Sequence, residues 1–117
     1  MIKSIALTAL SLSLAVGATA AVNTRVVLAE ERMAHEEEGR IITSPIGGVE
    51  NHFWYDYRVN ILESQKELAR DLREASKTKD MRNAWDEYRG ELSHERDHYV
   101  HVMAKRGYHS PIVEVVD

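Results

Sequence analysis

Residues 93–101 read SHERDHYVH, and this segment comes closer to a chemical motif than any other in the chain. Within it, His94, Glu95 and His98 fit the pattern H-E-x-x-H. In that pattern two histidines one helical turn apart bind zinc, and the glutamate activates a metal-bound water as general base. The segment is therefore either a zinc peptidase site or a charged helix that holds histidines on its polar side.

The surroundings of the motif argue against a peptidase. Its two central positions are Arg96 and Asp97, where a buried active-site helix would favour uncharged residues. No strand pattern precedes it to build a substrate-binding sheet. In helical projection Glu95 falls on the apolar stripe, while His94 and His98 fall on its flank. We therefore expect no catalytic residue, with Glu95 as the candidate base only if the peptidase hypothesis holds.

The same flank offers a second chemistry, which is metal binding. Two histidines at i and i+4 on an exposed helix chelate Zn²⁺, Cu²⁺ or Ni²⁺ without further help from the fold. The candidate ligands are Glu91, His94, His98 and His101, with Glu87 on the same side. The alternative is a solvated polar face that binds nothing. No cofactor is required by the sequence, and zinc or another divalent transition metal is the one it allows.

Two long segments must position these residues, and both carry the apolar spacing of paired helices. In residues 51–76 and 79–106 apolar side chains alternate steps of three and four, as in a coiled-coil seam. At about 100° per residue, one straight helix would put the two seams on opposite sides. A turn near residues 77–78 lets them face each other. The predicted fold is all-α, an antiparallel helical hairpin with Asn51 as first N-cap and Thr78 or Asp80 as second.

The hairpin register predicts a partner for Glu95, the one charged residue within the second seam. It would face the region of Asn60, with Arg58 one turn away. We expect a polar pair between Glu95 and Asn60 or Arg58, because charged seam residues commonly fix register.

The rest of the chain divides into shorter segments. Val22, Val26, Ala29 and Met33 predict a helix over residues 22–38, which can complete a three-helix bundle. Residues 39–50 contain Pro45 and two glycines and read as a linker, so residues 21–50 precede a hairpin domain at 51–107. Gly107 is placed to end the last helix, and residues 108–117 form an extended tail.

Residues 1–20 have the pattern of a cleavable signal peptide. Lys3 precedes a short apolar stretch, and Ala18-Thr19-Ala20 fits a small-x-small cleavage site. The chain has no cysteine, so neither a lipid-anchored cysteine nor a disulfide is expected. We expect a periplasmic or secreted protein with no membrane span after signal cleavage.

Composition narrows the functional class further. The formal net charge is −4 over 117 residues, with both signs interleaved, which does not favour nucleic-acid binding. The aromatic residues offer more area than one two-helix seam buries. The sequence therefore predicts a non-catalytic interaction protein with a homodimer or an envelope protein as partner. Divalent-metal binding is the first alternative, and a minimal zinc peptidase is the second.

Overall fold

The computed structural model describes residues 26–109, which form three helices and no strand. Helix α1 spans Ala29–Glu38, α2 spans His52–Glu74 and α3 spans Thr78–Ala104. A short 3-10 turn, Ile46–Gly48, lies in the connector between α1 and α2. The all-α prediction is confirmed for these residues. The predicted signal peptide and residues 110–117 of the predicted tail lie outside them.

Helix α3 is the centre of the fold, because both α1 and α2 pack against it. Helices α2 and α3 run in opposite directions, and Asn51 Nδ2 lies 3.4 Å from the sulfur of Met103. At the other end Ser76 donates to Asp80 across the short turn, at 3.3 Å. The buried core is aromatic and aliphatic, and consists of Ala34, Ile46, Trp54, Tyr57, Ile61, Trp85, Tyr88, Leu92, Tyr99 and Met103.

The helix ends follow local capping chemistry. The side chain of Asn51 accepts the Trp54 N–H at 3.1 Å, which confirms the predicted first N-cap. The second cap prediction was wrong. Lys77 is the N-cap of α3 and makes no side-chain cap bond, whereas Asp80 lies in the first turn. Gly107 adopts a φ of 86° just beyond α3, the left-handed conformation that glycine favours at helix ends.

Helix α1 differs from its prediction in both start and orientation. It begins at Ala29, residues 26–28 before it are not helical, and Val26 and Met33, predicted for its buried stripe, are 80% and 44% exposed. Residues 22–25 of the predicted helix lie outside the described residues. Its buried residues are instead Glu31, Ala34 and Glu37. Ala34 allows a close approach to α3, where Glu37 pairs with Arg96, whereas Glu31 lies 3.6 Å from His35 of α1 itself. Ion pairing therefore overrides apolar periodicity in this helix.

The buried acid Glu37 joins α1 to α3. It accepts hydrogen bonds from Arg96 of α3 and, at 3.0 Å, from Arg40. Arg96 is largely enclosed, whereas the side chain of Arg40 is 58% exposed. A carboxylate in such a position must be paired, since an isolated buried charge is strongly unfavourable. The pair with Arg96 therefore sets where α1 docks.

Two stacked tyrosines hold the connector against the helices. The rings of Tyr57 and Tyr99 lie 4.9 Å apart at an interplanar angle of 15°. The Tyr57 hydroxyl accepts the Ile42 N–H at 2.9 Å, and the Tyr99 hydroxyl accepts the Ile46 N–H at 3.0 Å. Burial raises the pKa of both phenols. The tyrosine pair thus satisfies backbone groups of a segment with no regular partner of its own.

Removing one hydroxyl at a time should separate the two anchors. Tyr99→Phe leaves the N–H of the buried Ile46 without an acceptor and should lower the free energy of unfolding by about 2 kcal/mol. Tyr57→Phe is the matched control and should cost about 1 kcal/mol or less, because Ile42 is partly exposed and water can replace the hydroxyl. Urea unfolding followed by circular dichroism measures both. Equal losses would contradict this account of the connector.

Candidate functional site

The α2–α3 interface opens on one side into an acidic groove of about 500 Å³. Gly90 borders this groove in open space, since a Cβ there would meet nothing within 4 Å. The groove is lined by Asn60, Glu63, Ser64, Glu67, Glu87, Gly90, Glu91, His94 and Glu95. Five of these residues are glutamates and one is a histidine, so the acidic groove concentrates negative charge beside an imidazole.

Three of the glutamates converge. Glu87 and Glu91 are one turn apart on α3, and Glu67 faces them from α2. One oxygen of each carboxylate lies within 4.8 Å of the other two. Carboxylate oxygens at this spacing suit a divalent cation, and His94 three residues after Glu91 adds a nitrogen donor to the same groove.

The convergence perturbs Glu87. Partial desolvation beside its neighbours, followed by the charges of Glu67, Glu91 and Asp71, raises the pKa of the largely exposed Glu87 above its ordinary value. The ionised form is thus disfavoured in the folded protein, and a proton or a cation would relieve the repulsion.

The four predicted metal ligands are distributed over different surroundings. Glu91 and His94 lie in the acidic groove. His98 lines a separate cavity of about 220 Å³ with Phe53, Tyr57 and Tyr99, and His101 is exposed. The sequence interpretation missed Glu67, because it considered a single helix face. The register that sets Asn60 against Glu95 also brings position 67 level with position 88, beside Glu87, and could have identified it.

The polar pair expected within the seam is present. Asn60 Nδ2 donates to Glu95 Oε2 at 3.0 Å across the α2–α3 interface. Arg58 lies instead over the Trp54 ring, 5.6 Å from its centre. Glu95, the general base of the peptidase hypothesis, is therefore engaged with α2, and the geometry lends that hypothesis no support.

His35, which has no motif around it in the sequence, makes the densest histidine contacts among residues 26–109. Its Nδ1 lies 2.7 Å from Glu38, its Nε2 3.6 Å from Glu31, and its ring packs edge-on against Trp85 at 5.2 Å. The hydrogen bond to Glu38 is the main cause of the raised pKa of His35. Glu38 also accepts the Tyr88 hydroxyl at 2.5 Å. In the sequence, Glu31 and Glu38 lie four residues before and three residues after His35, and this helical spacing was the signal that could have predicted the contacts.

A second surface feature lies on the side of α2 that faces away from the core. Tyr55, Val59 and Leu62 are 49%, 51% and 53% exposed, and their spacing of four and three places them on one stripe. Single exposed apolar residues are ordinary, but three on one helix face form a surface that favours contact with another molecule. We call this stripe the outer face of α2.

Comparison with known proteins gives no assignment. No protein-family model matches the chain, and neither the curated proteins nor the solved structures contain a significant match. Within residues 26–109, no helix has the length and apolar content needed to cross a membrane.

Glu87→Gln should stabilise the protein at neutral pH, because it removes one of three mutually repelling charges. A carboxyl whose folded-state pKa is raised makes the free energy of unfolding fall as pH rises from about 4.5 through the raised pKa. The gain should be at most about 0.5 kcal/mol because the side chain is exposed, and it should vanish below pH 4.5. Thermal unfolding between pH 4 and 8 measures it.

The control for that series is Glu50→Gln, an exposed connector residue outside the acidic groove. It should leave the pH profile unchanged. A profile for Glu87→Gln that matches the control would mean that the three carboxylates do not repel one another in solution.

Proposed function

We propose that the protein is an exported, non-catalytic interaction protein that binds a protein partner through the outer face of α2. The observation that carries this proposal is the stripe of Tyr55, Val59 and Leu62, each about half exposed on a helix whose opposite side buries Trp54, Tyr57, Ile61 and Ser64.

The energetics favour use of this stripe. Fully burying a Val or Leu side chain contributes about 1.5–3 kcal/mol, so three half-exposed apolar residues leave a useful gain unrealised in the isolated chain. The residues that pack the core are separate from them, so a partner could bind without disturbing the three-helix arrangement. A helix with two apolar faces commonly places the second one at an interface.

The export part of the proposal rests on residues 1–20. Their charged start, short apolar stretch and small-x-small site favour signal cleavage and a periplasmic or extracellular destination. The absence of cysteine from the chain is compatible with folding in an oxidising compartment.

Site-specific photo-crosslinking tests the interaction. A benzophenone amino acid at position 62 should give adducts heavier than the monomer in the exported fraction, because Leu62 lies on the outer face. The control is the same group at position 86, where the Asp86 side chain is 59% exposed on α3. Gel mobility and mass spectrometry of the adducts provide the readout. No adduct at position 62, or equal adducts at both positions, would contradict the proposal.

A second candidate function is divalent-metal binding in the acidic groove. It is favoured by the convergence of Glu67, Glu87 and Glu91 within 4.8 Å and by the imidazole of His94 in the same groove. This ligand set keeps Glu91 from the sequence hypothesis, leaves His94 beside the three carboxylates in the same groove, and replaces His98 and His101 by Glu67 and Glu87. Zinc or another divalent transition metal suits mixed oxygen and nitrogen donors.

Calorimetric titration with Zn²⁺ distinguishes the two ligand sets. Glu87→Gln combined with Glu91→Gln should abolish the binding heat, whereas His98→Ala combined with His101→Ala should leave it unchanged. The reverse pattern would assign binding to the exposed histidines rather than to the acidic groove. Absence of heat with the unaltered protein would remove metal binding as a function.

A further inference from the structure

We infer that the occupant of the outer face of α2 is a second copy of this chain, packed with its own α2 antiparallel to the first. This inference rests on the proposed interaction function and specifies its partner. The observations that carry it are the continuation of the stripe along the helix, the distribution of charge on it and a concavity at one point of it.

The stripe continues beyond its apolar part with the same spacing. After Leu62 the steps of four and three lead to Lys66, Ala69 and Arg73, all exposed. The outer face therefore has an apolar first half and a second half in which a small alanine lies between two cationic side chains. Six positions in alternating steps of four and three are the seam of a two-helix contact.

Charge decides the direction of pairing. In a parallel pair each residue meets its own equivalent, so Lys66 would face Lys66 and Arg73 would face Arg73, with repulsion in the seam. In an antiparallel pair centred on position 64, Lys66 faces Leu62, and Arg73 faces the ring of Tyr55. Lysine and arginine stems cover apolar surface well, and arginine stacks on tyrosine.

The charges that flank the seam agree with the antiparallel direction. Asp56 borders the apolar half, and Arg70 borders the cationic half, where its side chain is 56% exposed. In the antiparallel pair centred on position 64, Asp56 of each copy lies within two residues of the level of Arg70 of the other, twice in the symmetric dimer, and the two copies of Glu63 approach each other near the axis, beside Lys66 of the other copy.

The shape of the α2 surface also favours the antiparallel register. An open concavity of about 590 Å³ lies on α2 around Ala69 and is lined by Glu63, Lys66, Glu67, Ala69, Arg70 and Arg73. Four of these, at positions 66, 69, 70 and 73, have the spacing of the hole that receives a side chain in coiled-coil packing. The antiparallel register places Val59 of the second copy over Ala69. A β-branched side chain half exposed on one copy thus meets a concavity at the matching position of the other.

Disulfide trapping tests this register cleanly, because the natural chain has no cysteine. Val59→Cys and Ala69→Cys are made as two separate full-length proteins, one of them carrying a mass tag. Facing positions in such a pair lie within disulfide range, with Cα atoms about 4.4–6.8 Å apart. Under mild oxidation the mixture should form a tagged–untagged disulfide dimer at least about tenfold faster than either protein alone. Asp86→Cys mixed with Val59→Cys is the control and should not cross-link.

Each other result overturns the inference in a recognisable way. Efficient self-cross-linking of both single variants would mean a parallel pair. A protein that remains monomeric by light scattering, with the thiol at position 59 protected from alkylation, would mean that another part of the same chain covers the face. A monomer with a reactive thiol there, together with photo-crosslinks from position 62 to a different protein, would leave the proposed function standing with another partner. Loss of all adducts from position 62 would end both proposals.

Discussion

The stacked pair of Tyr57 and Tyr99 is the contact on which the arrangement of the chain depends. Each ring is almost completely buried and packs α2 against α3, and each hydroxyl accepts a backbone N–H of the connector. Without the Tyr99 hydroxyl the N–H of the buried Ile46 would be left unpaired, and without the Tyr57 hydroxyl the N–H of the partly exposed Ile42 would depend on water. The same two side chains therefore join the long helices and fix the path by which the chain reaches α2 from α1. The position of α1 follows from that path.

Helix α1 buries too little apolar surface to hold its own position on α3. Its placement therefore depends on the connector path that the tyrosine pair fixes. The buried part of α1 is one alanine between two glutamates, and the principal tie is the ion pair of Glu37 with Arg96. Such a pair contributes little net stability after desolvation, but it strongly disfavours every other placement of the helix. The docking of α1 is thus specified by charge, whereas the packing of α2 on α3 is specified by shape and apolar area.

The difference between apolar packing of α2 and charge-specified docking of α1 explains which parts of the fold the sequence could predict. Apolar spacing located both long helices to within a few residues, and it predicted the contact of Glu95 with Asn60, because a repeated seam carries its register with it. It failed for α1 and the residues just before it, because Met33 of the helix and Val26 ahead of it are exposed whereas Glu37 is buried. No apolar pattern can report a buried carboxylate whose partner, Arg96, is 59 positions away. The candidate site divides in the same way: Glu91 and His94 were evident on one helix, and Glu67 required knowledge of the helix opposite.

The two proposed activities use adjoining sides of α2, and Glu63 and Glu67 lie where these sides meet. Both residues line the acidic groove and also the concavity around Ala69. In the antiparallel pair Lys66 of the second copy would come close to Glu63, so self-association would reduce the negative charge at the edge of the groove. A cation bound within the acidic groove would also reduce the negative charge of the groove. Metal and partner would therefore compete electrostatically, and they also share Glu67, which is one of the three converging carboxylates and lines the concavity around Ala69. Because Glu63 is exposed and screened by solvent, this antagonism is weak, and each activity remains open to measurement in the presence of the other.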